Sequence, residues 1–117
     1  MGRWQVGPIQ AMAREHPDPR EKSMGKHFIV VAYDIPDDRR RERLHHLLEG
    51  FGTPVQYSVF ECLLEEQEVA RLKRRVARTI RPRLDHVRYY YLCAACQRRI
   101  ETTMGPEVAH EERTLVV

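Results

Sequence analysis

Two short runs hold most of the residues able to bind a metal ion or an anion. The first is Tyr33-Asp34-Ile35-Pro36-Asp37-Asp38, followed by Arg39, Arg40, Arg41 and Arg43. The second is Gln56-Tyr57-Ser58-Val59-Phe60-Glu61-Cys62. From Phe28 to Asp34, six of the seven residues are apolar or aromatic. Strand side chains alternate, so Phe28, Val30, Ala32 and Asp34 share one face, with Asp34 last in an otherwise apolar row. A carboxylate there costs free energy unless it meets water, a donor or a cation. Spacing leaves two readings of Asp34: it caps the helix that Pro36-Asp37-Asp38 starts or accepts turn hydrogen bonds, or it ligates a hard divalent ion. The arginines are equally open, as solvated exterior cations or as an anion-binding cluster beside Asp34. Ser58 lacks a His–Asp partner pattern and reads as a turn hydroxyl rather than a nucleophile.

These residues need elements to position them. The run from His27 is β-branched and apolar enough for a central strand buried on both faces. A helix follows over 38–49, with Leu44, Leu47, Leu48 and Phe51 as its buried stripe. Gly50 and Gly52 are expected to supply a left-handed residue at its exit. Residues 54–64 are too long for one strand, so a hairpin bend is expected around Gln56-Tyr57-Ser58. A second helix spans about 65–80. Val69, Leu72, Val76 and Ile80 form its buried stripe, and Arg71, Arg74, Arg75 and Arg78 form a continuous basic face. That face is either a soluble exterior or a contact for a phosphate backbone. A strand over 85–93 follows, then a further short strand over 99–104. Thr114-Leu115-Val116-Val117 is expected to add to a sheet edge. The order strand, helix, strand, strand, helix, strand is the split βαβ, ferredoxin-like α+β arrangement. Two helices cover one sheet face. The other face needs a cover, and a second copy of the chain is the simplest one.

The 117 residues fit one domain. Residues 1–26, with three prolines and no sustained periodicity, read as an extension. Residues 27–105 form the domain and 106–117 a tail. Met24, just before the core strand, is an alternative start. Net charge is only +3, a weak argument for nucleic acid. Distribution is stronger, because Arg71 to Arg88 holds eight basic residues and one acidic residue, Asp85. Three cysteines and no secretory signal argue against a disulfide scaffold. No apolar run approaches the ~20 residues of a membrane span, so a cytoplasmic protein is expected. Cys93-x-x-Cys96 alone is a weak zinc signal. A redox pair would want a strand-to-helix setting of another fold, so both cysteines read as reduced and structural.

The first and second runs at this spacing, with Tyr91-Leu92-Cys93-Ala94-Ala95-Cys96, resemble the CRISPR-associated protein two family. This is the small nuclease of the adaptation stage that partners the spacer integrase. The resemblance covers about 27–105. It implies a ferredoxin-like homodimer in which two copies of Asp34 hold one Mg²⁺, with Mn²⁺ as an alternative, for endonuclease action on single-stranded RNA or double-stranded DNA. Tyr33 and Asp34 match the strand-end motif. Arg41 and Arg43 match helix arginines that would hold the scissile phosphate. Ser58 and Phe60 match the second motif, where Phe60 either stacks on a base or fills the core. Pro54 stands where some members carry a basic residue, which removes one phosphate contact. The alternative implied role is a non-catalytic DNA-binding scaffold that bridges the integrase.

Overall fold

The computed structural model describes residues 26–109. Most of the expected extension and the Thr114–Val117 edge strand lie outside the described residues. The apolar run forms β1, His27–Asp34. Helix α1 spans Asp38–Glu49, and its N-cap Asp37 accepts from the Arg40 N–H at 2.9 Å. The expected hairpin is present as β2, Gly52–Gln56, and β3, Val59–Leu64, joined at Tyr57-Ser58. Helix α2 spans Glu66–Thr79, and the Glu68 carboxylate accepts from the Glu65 N–H at 3.0 Å, which ties down its first turn. Strand β4 is His86–Leu92.

The strands lie in the order β2-β3-β1-β4, and every neighbouring pair is antiparallel. Each helix links two strands that have a third between them, which is the split βαβ topology. Ile29, Val31 and Tyr33 of β1 and Phe60, Cys62 and Leu64 of β3 pack against Leu44, Leu48, Val69, Leu72 and Val76 of the helices. Alternation sends Phe28, Val30, Ala32 and Asp34 to the opposite face, where the register sets Val30 between Glu61 and Tyr90. Helices α1 and α2 pack on the first face, and the second is closed only at its start, where Phe28 is 2% exposed. β1 is therefore central, but its second face opens along the strand: Phe28 is buried, Val30 and Ala32 are half-buried and Asp34 is exposed, while Val31 on the first face is fully buried.

Three expectations change. Gly50 has an ordinary right-handed φ of −80°, so it is no left-handed cap. Gly52 is needed for close approach instead, since a Cβ there would lie 2.4 Å from the Glu61 carbonyl oxygen. No strand forms over 99–104. β4 runs into a one-turn helix, α3 (Ala94–Gln97), and the chain beyond it to residue 109 has no regular element. Cys93 and Cys96 are exposed and do not pack in a core; Cys62 is the buried cysteine. Among the described residues no helix is long and apolar enough to cross a membrane.

Candidate functional site

Asp34 ends β1 on the uncovered sheet face and is exposed. Its carboxylate makes no hydrogen bond or ion pair with any described residue. The capping role belongs to Asp37, so that reading of Asp34 falls away. As a donor, Asp34 offers hard carboxylate oxygen, which suits Mg²⁺ or Mn²⁺. One chain supplies only this half-site: among the described residues no group of three or more His, Cys, Asp or Glu side chains is arranged to hold a metal. The residues fit a shared ion once a second carboxylate stands opposite the first.

Tyr33 points the other way, because neighbouring strand residues face opposite sides. It lines a depression of about 380 Å³ with Asp38, Arg41, Glu42, His45, Tyr57 and Ser58. Tyr33, Arg41 and Ser58 therefore come together, while Asp34 lies on the far side of the sheet. The Tyr33 Oη and His45 Nδ1 are 3.2 Å apart, and His45 Nε2 is 3.4 Å from a Glu49 carboxylate oxygen. Burial raises the Tyr33 pKa, against a smaller opposing pull from the Ser58 hydroxyl. Ser58 occupies the left-handed region at φ 65°, and its carbonyl accepts the Tyr33 N–H at 3.1 Å. That matches a turn-forming role. Phe60 is 0% exposed and lies edge-on to His45 at 5.0 Å, so it fills the core and is not available to a base. Tyr57, 82% exposed at the hairpin tip, is the accessible aromatic of this depression.

His45 and the exposure of Tyr57 add to the residues expected from the sequence. His45 had a signal: it follows the buried Leu44 and precedes Glu49 by one helical turn. The tip position of Tyr57 was implicit in the hairpin.

The α1 arginines divide and do not cluster. Arg40 grips the buried Asp85 with two bonds, Nε at 2.7 Å and Nη2 at 3.0 Å, and the Arg81 N–H adds a third at 2.8 Å. Arg40 is thereby a structural ion-pair partner and not a free nucleic-acid contact. Arg41 donates to the Ile35 carbonyl at 2.8 Å and pairs with Asp38, which fixes it at the strand-to-helix turn. Arg39 and Arg43 line a separate depression of about 550 Å³ with Glu42, His45, His46 and Glu49. On α2 the expected basic face is present, with Arg71, Arg74, Arg75 and Arg78 all exposed. Arg71 and Arg75 lie over the Phe51 ring at 5.3 and 5.9 Å, and Arg74 and Arg78 make no ion pair with a described residue.

Residues 27–100 match the family model described as CRISPR associated protein Cas2. The chain is 38% identical over 88 residues to CRISPR-associated endoribonuclease Cas2 3 of Synechocystis sp., covering 75% of this chain and 96% of that one. A crystal structure of a hypothetical protein from Thermus thermophilus matches at a TM-score of 0.64 and 42% identity, over 71% of this chain and 98% of that one. A chain of a partial Cas6-RT-Cas1–Cas2 complex matches at a TM-score of 0.59 and 27% identity, over 74% and 93%. With the ferredoxin-like sheet, the exposed strand-end aspartate and these matches together, the chain belongs to the CRISPR associated protein Cas2 family.

Proposed function

We propose that this chain is a CRISPR-associated endonuclease that hydrolyses RNA or DNA phosphodiesters as a homodimer in the cytoplasm, using Mg²⁺ or Mn²⁺. One observation carries the reading: Asp34 ends an apolar row on an uncovered sheet face, exposed and without a partner among the described residues. Pairing two such faces would cover the apolar row and set two copies of Asp34 near each other. Two close carboxylates repel unless a cation stands between them. A divalent ion held there would acidify a bound water and offset charge on the phosphate. The chain's own groups do the rest. Arg41, fixed at the turn on the other side of the sheet from Asp34, presents a cation to a neighbouring phosphate of the nucleic-acid strand rather than to the one at the ion. Tyr57 offers a ring for a base, which is tolerant of sequence. Tyr33, Arg43 and Ser58 act around these groups and not on the ion.

A second reading rests on α2. Its exposed arginines suit the backbone of a duplex, and with the likeness to a Cas1–Cas2 complex chain they support a DNA-binding scaffold for a spacer integrase. The test is cleavage of labelled single-stranded RNA and duplex DNA with Mg²⁺, Mn²⁺ or EDTA. Metal-dependent cutting that vanishes in Asp34→Asn is expected of the nuclease, and cutting that survives the substitution refutes it. Salt-sensitive duplex binding lost on Arg74→Glu and Arg78→Glu, without any cutting, is the scaffold's outcome.

A further inference from the structure

The two exposed cysteines occupy a setting that the sequence withheld from them. Cys93 leaves β4 and is the N-cap of α3; its sulfur accepts from the Cys96 N–H at 3.5 Å. Both thiols are free and exposed. Cys93, extended at the N-cap, folds its side chain back over the first turn toward Cys96. A disulfide needs Cβ atoms about 3.5–4.5 Å apart, and this N-cap-to-first-turn relation brings the two side chains to the same end of α3. This is a strand-to-helix dithiol, open to solvent, at the exit from the sheet.

We propose that Cys93 and Cys96 form a reversible dithiol–disulfide pair that reacts with small-molecule disulfides such as glutathione disulfide. The roles are unequal. The Cys96 N–H on the Cys93 sulfur favours the Cys93 thiolate and lowers its pKa, and the neighbouring Cys93 sulfur raises that of Cys96. Cys93, as thiolate, attacks one sulfur of glutathione disulfide; the disulfide bond breaks, and one glutathione leaves as thiolate and takes a proton. Cys96 then loses its proton and attacks the Cys93 sulfur, releasing the second glutathione thiol. The protein loses two electrons and two protons, and glutathione disulfide gains both. Cys62 stands apart: it is buried, and desolvation pushes its thiol up to about 11, so it stays protonated and inaccessible. The new bond would clamp α3, whose Gln97 Nε2 reaches the Ala109 carbonyl at 2.6 Å.

The test is titration of the full chain with glutathione redox buffers, acid quenching, alkylation and peptide mass mapping. The expected result is an intramolecular Cys93–Cys96 disulfide, with Cys62 alkylated only after denaturation. Cys96→Ser should accumulate one glutathione on Cys93. Cys93→Ser should take up glutathione several-fold more slowly. No reaction, equal uptake by the two variants, or oxidation to mixed or interchain disulfides alone overturns the assignment.

Discussion

Glu61 pays a penalty that its neighbour escapes. It sits half-buried on the uncovered face, across from Val30 and Thr53, and burial raises its pKa. An unfolded glutamate titrates near 4.3, so the folded chain holds this proton to higher pH than the unfolded chain. Stability therefore falls as pH rises through the window just above that value. Glu61→Gln should raise the Tm at pH 7, and the gain should disappear near pH 3, where wild-type Glu61 is protonated in both states. Melting at the two pH values checks this; an equal gain at both would refute it. Cys62, on the other face, is buried as an uncharged thiol and carries no such cost at neutral pH. The face that holds Asp34 was legible from strand alternation. The same alternation puts Phe60 on the side of Cys62 and Leu64, so its burial was present in the sequence too.

At the scale of elements, the Arg40–Asp85 pair ties the start of α1 to the turn before β4. The Arg40 guanidinium holds the Asp85 carboxyl below its ordinary range. A depressed carboxylate contributes stability that is present above the unfolded value of about 3.9 and is lost as pH falls through the folded one. Asp85→Asn should be clearly less stable than wild type at pH 7 and close to it in strong acid. Acid unfolding followed by circular dichroism checks the convergence. Helices and strands were readable because their apolar periods differ, and the first helix has the expected bounds. This tie was not readable, because its partners are 45 residues apart and each looks like an ordinary surface charge. The strand expected over 99–104 failed for a local reason: Cys93 caps a helical turn as soon as β4 ends.

Across the whole molecule, the sheet separates two chemistries: Asp34 on one side and the Tyr33–His45–Glu49 chain with Arg41 on the other. Element order made the architecture legible. It did not show that Tyr33 and Asp34, adjacent in sequence, would serve opposite faces of one sheet. A further consequence follows from each chain bringing one Asp34 carboxylate to the proposed shared ion. Every substitution there is inherited twice by an isologous dimer. If subunits of wild type and Asp34→Asn are unfolded together in equal amounts and reassembled at random, about one quarter of the dimers carry two intact carboxylates. Cleavage should fall to that fraction and not to one half, so the defective allele would behave as dominant. A fall to one half would mean that each subunit works alone.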